Sequence, residues 1–362
     1  MTPLARLLAA RIAAEGPISL ADYMADCLLH PAHGYYATRD PFGAAGDFTT
    51  APEITQMFGE LLGLCLAQCW LDQGRPARFL LAEIGPGRGT LMADMLRALK
   101  ALPAMRAAAE VHLIEASPTL RARQRQTLGD HPVTWHDGIH SLPDAPLFLV
   151  ANEFFDALPI RQFRRSGAGW AERQVGLRDG QLTFGYAPPV PLATLAPRLA
   201  DTSEGDIVET CPALPAIAGD IARRIASVGG AALIIDYGGW QSLGDTFQAL
   251  KSHAFTDPLA EPGLADLTAH VDFQALSQAF RTAGAASTAM TLQGTFLNRL
   301  GLAARTEALA RNLQGAALDT HRAAYRRLTD ASEMGELFKV IACHPTGTPA
   351  PPGLDPPDAQ YA

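Results

Sequence analysis

The sequence has 362 residues, a formal net charge of -8 and a pI of about 5.7. This acidic balance argues against a general affinity for nucleic acid, because binding to phosphates requires a basic surface. The longest apolar runs, such as Phe79 to Ala82, are too short to cross a bilayer, so we expect no stable membrane insertion. Five scattered cysteines indicate a reducing compartment and predict neither a disulfide framework nor a metal site.

The first 75 residues are predicted to be mainly helical, because apolar residues recur at helical spacing over 4–14, 19–28 and 53–71. The stretch 33–50 is rich in glycine and aromatic residues instead, which predicts an ordered loop. The amino-terminal helix is followed by Gly16-Pro17, which is typical of a helix stop and not of a signal-peptide cleavage site. We therefore expect the bacterial cytoplasm, with a transit peptide and the mitochondrial matrix as the alternative.

From residue 78 onward, short apolar runs alternate with helical patterns, and this alternation predicts a parallel sheet covered by helices on both faces. The fold class is therefore α/β. After residue 156 the pattern changes to short alternating runs separated by Gly and Pro turns, which predicts inserted antiparallel hairpins. The predicted strands are 79–84, 111–114, 133–135, 147–150, 232–237 and 337–342, and the predicted helices are 90–99, 118–128, 214–227, 272–283, 296–313 and 317–328.

A glycine-rich loop joins the first predicted strand to a helix, in the segment from Glu83 to Thr90. Glycines let the backbone approach a ligand there, and the free amides of a helix start favour negative charge. A dinucleotide fingerprint would place its third glycine where Thr90 stands, whereas these glycines alternate at 85, 87 and 89. The departure favours S-adenosylmethionine as cofactor, and a tight turn without any ligand is the alternative.

Acidic residues follow the next two predicted strands. Glu115 ends the second strand, where a carboxylate can accept hydrogen bonds from both ribose hydroxyls of an adenosine. Asp137 ends the third strand, where an adenine could bind, although an ordinary Asp-Gly turn explains it equally well. Glu115 taken alone would more often be a solvated strand end.

The segment Asn152 to Pro159 follows the fourth strand and places two carboxylates, an amide and two aromatic rings at the carboxyl edge of the sheet. Ligands bind at this edge in open α/β folds. Glu153 and Asp156 could hold a planar guanidinium bidentately, which predicts an arginine side chain as methyl acceptor. The alternative is that one of these acids only caps a helix.

Two further segments, Asp236-Tyr237 and His270-Val271-Asp272, could line the acceptor cleft, although a structural histidine and a helix-capping aspartate are the simpler interpretation. The sequence contains no nucleophile elbow of the glycine-x-serine-x-glycine kind, so hydrolytic chemistry has no support.

With these motifs in view, the chain resembles the MidA-like family, which comprises the mitochondrial complex I assembly factor methyltransferases and their bacterial relatives. The resemblance runs nearly end to end, and Ala51 stands where relatives often carry serine. It rests on several long motifs in one order: 33–36, 46–53, 58–60, 83–90, 151–159, 235–238, 265–273 and 334–339.

The resemblance implies a seven-strand Rossmann-like methyltransferase core with an amino-terminal helical cover and an inserted β-rich substrate region. It also implies symmetric dimethylation of arginine on the 49-kDa-type subunit of respiratory complex I during assembly. The expected segments are 1–75 (helical cover and active-site loop), 76–160 (cofactor-binding half), 161–210 (inserted substrate region), 211–343 (remaining core with helical additions) and 344–362 (disordered tail).

The candidate site residues fall into three groups. Asn152, Glu153 and Asp156 are the candidate catalytic residues. The candidate substrate residues are Tyr36, Phe48, Phe155, His270 and Asp272, and the candidate cofactor residues are Asp47, Thr49, Glu83, Gly85, Pro86, Gly87, Gly89, Thr90, Glu115, Ala116, Asp137 and Asn152.

Three functions are compatible with these residues: a protein arginine methyltransferase, a methyltransferase of another acceptor, and an assembly chaperone that binds the cofactor without turnover. The first is favoured, because inserted hairpins and a long amino-terminal cover suggest a groove that admits a peptide. The expected partner is therefore a protein substrate.

Overall fold

The computed structural model describes residues 1–38 and 49–357, and the chain divides into two compact units. The large unit comprises 49–155, 215–240 and 273–362, and the small unit comprises 1–48, 156–214 and 241–272. This division differs from the expected boundary at residue 75, because residues 49–75 belong to the large unit. The amino-terminal helices instead share a unit with the inserted hairpins.

The large unit is built on one mostly parallel sheet. Its main path has the strand order Ala286–Ser287, Phe338–His344, Gly230–Gly239, Leu147–Asn152, Phe79–Ile84, Ala109–Ile114 and Val133–His136. The last five of these strands are parallel to one another, whereas Phe338–His344 runs antiparallel to both of its neighbours on this path. The short strand Thr291–Leu292 also pairs with Phe338–His344. The predicted α/β class and the seven-strand core are confirmed.

The central strands are continuous apolar runs because they are buried on both faces. Every residue of Phe79–Ile84 and of Leu147–Asn152 is buried, and Phe79 pairs in register with Ala109. This arrangement brings the carboxyl ends of neighbouring parallel strands to one edge of the sheet. Residues that follow these strands in the sequence therefore lie along the same edge.

Two predicted helices of the large unit are each divided in two. Thr55 adopts an extended conformation, and its hydroxyl caps the second segment by accepting from the N–H of Met57 at 3.3 Å. Gly301, with φ of 96°, separates the other pair. The helices are Ala51–Ile54, Gln56–Asp72, Thr90–Ala98, Pro103–Ala108, Pro118–Leu128, Leu214–Val228, Phe273–Thr282, Gln293–Arg299, Leu302–Ala310, Gly315–Thr329 and Met334–Leu337, with 3₁₀ turns at Leu99–Ala101 and Ile139–Ser141.

The small unit combines amino-terminal helices with two antiparallel sheets. One sheet has the order Ile18–Ser19, Gly169–Arg178, Arg161–Ser166 and Ile207–Thr210, with Gln181–Tyr186 also paired to Gly169–Arg178. The other, which the sequence pattern did not predict, has the order Ala254–Thr256, Gln248–Lys251 and Asp266–Thr268. The remaining elements are the helices Pro3–Glu15, Leu20–Leu29 and Tyr35–Thr38, the 3₁₀ turns Ala193–Leu195 and Pro197–Leu199, and the short strand Val271–Asp272.

The carboxyl-terminal segment corrects one prediction. Residues 344–357 were expected to be disordered, yet Leu354 is buried in the core of the large unit. The N–H of Ala289 donates to the carbonyl of Asp355 at 2.9 Å, and Arg299 pairs with the carboxylate of Asp355 at 2.7 Å. Residues 358–362 lie outside the described part of the chain. Among the described residues, no helix is long and apolar enough to span a membrane.

Candidate functional site

The glycine loop occupies the carboxyl end of strand Phe79–Ile84, as the sequence predicts. Gly85, Gly87 and Gly89 all have positive φ, at 64°, 51° and 82°, a region that residues with a side chain rarely adopt. A Cβ on Gly85 would lie 3.0 Å from Cδ2 of Phe154. The turn is closed by a hydrogen bond of 2.7 Å from the N–H of Gly89 to the carbonyl of Pro86. The loop backbone is thus shaped by glycine at three alternating positions.

Two buried oxygens near this loop have no hydrogen-bond partner among the described residues. They are Oε2 of Glu83 and Oδ1 of Asn152, on adjacent strands whose register pairs Glu83 with Val150. Asn152 lies two residues beyond Val150, so Glu83 and Asn152 face the same side of the sheet. Burial raises the pKa of Glu83 to about 8. When Glu83 is ionised, both residues offer buried acceptors that require a donor, and the α-ammonium group of S-adenosylmethionine has the matching chemistry.

Glu115 follows the next strand and accepts hydrogen bonds from several donors, including the backbone N–H of Ala116. Its Oε1 accepts from the N–H of Ser117 at 2.7 Å, and its Oε2 accepts from Nε2 of Gln124 at 3.2 Å. Burial raises the pKa of this carboxyl, while these hydrogen bonds favour its charged form. Ala116, the next residue, is exposed. A carboxylate held in this way can accept hydrogen bonds from a pair of vicinal hydroxyls.

The helix start after the loop is engaged by a residue from another helix. The hydroxyl of Thr90 donates to Oε1 of Glu53 at 2.6 Å, and Arg88 lies 4.0 Å from the other oxygen of the same carboxylate. Glu53 thereby connects the helix Ala51–Ile54 to the glycine loop. Thr49, at the start of this described stretch, is half-buried, whereas Asp47 and Phe48 lie outside the described residues.

Glu153 has an unusual backbone conformation at the end of strand Leu147–Asn152. Its φ is 52°, which is rare for a residue with a side chain and costs of order 1–3 kcal/mol. Its Oε1 accepts from the N–H of Ala51 at 3.1 Å and from Nδ2 of Asn152 at 2.9 Å. Its own N–H donates to the carbonyl of Ile235 at 2.9 Å. Such strain, held in place by several contacts, is typical of functional sites.

The turn after Glu153 is organised by a buried carboxylate on the neighbouring strand. Asp236 is fully buried, and its Oδ2 accepts from the N–H groups of Phe154 at 3.2 Å and Phe155 at 2.9 Å. Its Oδ1 accepts from the N–H of Tyr237 at 3.0 Å. These contacts make Asp236 a support for the turn, which fits the simpler structural interpretation of this segment.

Asp137 has a surface position. Its side chain is 86% exposed and forms an ion pair of 2.5 Å with Nη2 of Arg121. The Nε of the same arginine donates to the carbonyl of Glu115 at 2.6 Å. Asp137 is therefore connected through Arg121 to the backbone of Glu115.

Four of the predicted site residues that the structure describes, Tyr36, Asp156, His270 and Asp272, belong to the small unit. The hydroxyl of Tyr36 donates to Oδ1 of Asp266 at 2.8 Å. Burial of this hydroxyl, followed by the negative charges of Asp266 and Asp156, raises the pKa of Tyr36 well above its usual value. His270 is exposed, and Asp272 accepts from the N–H of Ser242 at 3.1 Å. The structure thus brings Tyr36 and Asp156 together within this unit.

A buried carboxylate, which sequence reasoning missed, supports the segment that carries His270. Glu209 is 4% exposed, its Oε1 accepts from the N–H of Thr246 at 2.9 Å, and its Oε2 accepts from the Thr246 hydroxyl. That hydroxyl in turn accepts from the N–H of His270 at 2.8 Å. Burial raises the pKa of Glu209. No local sequence signal identifies this contact, because its members are far apart in the chain.

Comparison with known proteins gives curated relatives that match nearly the whole chain. The chain is 36% identical to human "Protein arginine methyltransferase NDUFAF7, mitochondrial" over 373 residues, which cover 95% of this chain and 84% of that protein. The Drosophila melanogaster homolog is also 36% identical, over 94% of this chain and 85% of its own length. The resemblance inferred from the motifs is therefore confirmed.

Solved structures show the same fold. A Burkholderia thailandensis protein bound to S-adenosyl-homocysteine superposes with a TM-score of 0.83 and 34% identity, over 97% of this chain and 93% of that chain. A native crystal structure of a protein from that organism gives a TM-score of 0.78 and 33% identity, over 98% of this chain and 92% of that chain. A family described as "Putative S-adenosyl-L-methionine-dependent methyltransferase" matches residues 61–291. The chain therefore belongs to this family of S-adenosyl-L-methionine-dependent methyltransferases.

Proposed function

We propose that this chain is a protein arginine methyltransferase and that Glu153 is its central catalytic residue. The observation that carries the proposal is the strained backbone of Glu153, fixed beside the glycine loop by contacts with Ala51 and Asn152. The curated relatives with 36% identity, which are named protein arginine methyltransferases, support the same acceptor.

The proposed cofactor contacts follow from the chemistry of the residues. The backbone of Gly85, Pro86, Gly87 and Gly89 would approach the methionine portion, with Glu83 and Asn152 accepting from its ammonium group. Glu115 would accept from the ribose hydroxyls. We assign further cofactor contacts to Asp47, Thr49, Thr90, Ala116 and Asp137. When bound, S-adenosylmethionine supplies an electrophilic methyl group on its sulfonium.

The proposed catalytic contribution of the protein is positioning and charge. Glu153 and Asp156 would bind the planar guanidinium through paired hydrogen bonds and draw its positive charge away from the attacking nitrogen. Asn152 keeps Oε1 of Glu153 in place through its amide. A carboxylate in this position can also take up the proton released as the new bond to nitrogen forms.

The acceptor is proposed to be a protein segment contacted by Tyr36, Phe48, Phe155, His270 and Asp272. We further propose symmetric dimethylation of a complex I subunit of the 49-kDa type, by analogy with the family that the chain resembles. The cysteines of the chain are free thiols and four are buried, which supports a reducing compartment such as the bacterial cytoplasm or the mitochondrial matrix.

The test is transfer of labelled methyl from S-adenosylmethionine to proteins of an extract that lacks this gene. Mass spectrometry identifies the labelled protein, and chromatography after acid hydrolysis separates symmetric from asymmetric dimethylarginine. Wild type and Glu153→Gln are compared with Glu307→Gln, which makes the same change at an exposed helix position. We expect labelled arginine with wild type and Glu307→Gln, and at least about a hundredfold less with Glu153→Gln.

Other results of the methyl-transfer experiment would favour one of the alternative functions. Label on another residue type would overturn the arginine proposal and favour a different methyltransferase. Tight binding of S-adenosyl-homocysteine without any labelled protein would favour an assembly chaperone. Unchanged turnover in Glu153→Gln would remove Glu153 from the catalytic residues.

A further inference from the structure

Gln124 is a fully buried polar residue on the helix Pro118–Leu128, and it links two separate parts of the candidate cofactor site. Its Nε2 donates to the carbonyl of Gly87 at 2.8 Å and to Oε2 of Glu115 at 3.2 Å. Gly87 belongs to the loop after one strand, and Glu115 follows the next strand. A single amide group therefore spans the two segments.

The orientation of this amide is fixed by an indole. Oε1 of Gln124 accepts from Nε1 of Trp135 at 2.8 Å. An indole nitrogen can only donate, so the amide oxygen must face Trp135 and both N–H groups must face the glycine loop and Glu115. The main chain of the loop also packs on this residue, since a Cβ on Gly89 would lie 3.4 Å from Cγ of Gln124.

The arrangement leaves Glu115 with capacity for a ligand. An ionised carboxylate offers about four acceptor sites on its two oxygens. Among the described residues, Ser117 donates to one oxygen, Gln124 donates to the other, and the backbone N–H of Ala116 is a third donor to this carboxylate. The carboxylate therefore keeps acceptor capacity for a hydroxyl of a ligand.

We propose that Gln124 is a positioning residue that fixes the distance between the glycine loop and Glu115, so that both can hold one nucleoside-containing cofactor. The proposal rests on the cofactor contacts assigned under the proposed function. Gln124 acts through Gly87 and Glu115. It therefore affects the affinity for the cofactor and the share of that affinity that the ribose hydroxyls contribute.

The test measures binding by calorimetry, with two ligands: S-adenosyl-homocysteine and its analogue that lacks both ribose hydroxyls. The variant Gln124→Met preserves size and removes all three hydrogen bonds. Gln126→Met is the matched control, because Gln126 is exposed on the same helix. Trp135→Phe is a second variant that keeps Gln124 and removes the indole donor that orients its amide. Thermal melting verifies that each protein is folded at the temperature of the titration.

We expect Gln124→Met to lower the affinity for S-adenosyl-homocysteine about tenfold or more. The affinity for the analogue should fall clearly less, because the analogue has no ribose hydroxyls to bind Glu115. Trp135→Phe should also lower the affinity for S-adenosyl-homocysteine more than the affinity for the analogue, but both losses should be smaller. Gln126→Met should bind both ligands as wild type does. Equal losses for both ligands, or no loss, would overturn the positioning role and leave Gln124 as a structural core residue. Failure of folded wild type to bind S-adenosyl-homocysteine would overturn the cofactor assignment itself, and this proposal with it.

Discussion

Asp236→Asn perturbs the turn that carries Glu153 without changing the size of a side chain. The wild-type carboxylate is fully buried and accepts from the backbone N–H groups of Phe154, Phe155 and Tyr237. Asparagine retains one oxygen, which can still accept from Phe154 and Phe155. Its NH₂ group would then face the N–H of Tyr237, and two donors cannot pair.

The magnitude follows from the three hydrogen bonds. A hydrogen bond to a charged group contributes about 1.5–3 kcal/mol, against roughly 0.5–1.5 kcal/mol for a neutral one. Two bonds are therefore weakened and the third is lost. We expect the free energy of unfolding to fall by about 3 kcal/mol. The looser turn should also lower kcat, because Glu153 would no longer be held in its strained conformation.

The assay is urea denaturation followed by circular dichroism, together with methyl transfer at saturating cofactor. Asp220→Asn serves as control, because Asp220 forms a surface ion pair with Arg223, and the loss of such a pair should cost under about 0.5 kcal/mol. If Asp236→Asn were as stable as this control and fully active, the supporting role of Asp236 would be refuted.

Three further predictions concern the loop, the buried acid and the carboxyl-terminal segment. Gly87→Val should abolish binding of S-adenosyl-homocysteine in calorimetry, because a branched residue cannot adopt φ of 51° beside a ligand. The control is Gly167→Val, which has φ of 57° in an open hairpin turn and should bind the ligand normally. Burial raises the pKa of Glu83 from 4.5 to about 8. Between these two pH values the folded protein therefore binds one proton more than the unfolded chain. The contribution of Glu83 to the free energy of unfolding falls as the pH rises through this range. A bound ammonium favours the charged form, so affinity for S-adenosyl-homocysteine should rise from about pH 6 to 8 with proton release, and a similar rise in Glu83→Gln would contradict this assignment. Leu354→Ala should lower the free energy of unfolding by about 2–4 kcal/mol in urea denaturation; an unchanged stability would mean that the segment is not packed.

The sequence predicts the large sheet well because its strands are buried. A strand covered on both faces appears as a continuous apolar run, and Phe79–Ile84 has the predicted bounds. The three-stranded sheet of the small unit was missed, since strands of three or four residues carry little periodic signal.

The carboxyl-terminal segment shows that amino-acid composition alone can predict disorder wrongly. Several prolines in 344–357 suggested disorder, but Leu354 is buried in the core, and Asp355 contacts Ala289 and Arg299. Packing against distant elements leaves no compositional signal.

The residues of the candidate site also differ in how well the sequence predicts them. The loop glycines, Glu115 and Glu153 are visible in the sequence because their spacing from strand ends has a physical meaning. Gln124 and Glu209 were missed, because each is a buried polar residue whose partners come from distant parts of the chain. Such supports become evident only when the fold brings their partners together.

The measurement that tests the account most directly is a crystal structure of this chain with S-adenosyl-homocysteine. The account predicts ribose hydroxyls within hydrogen-bond distance of the carboxylate of Glu115, and the ammonium group near Oε2 of Glu83 and Oδ1 of Asn152. A ligand bound away from the loop Gly85–Gly89, or with its ribose distant from Glu115, would contradict the central claim.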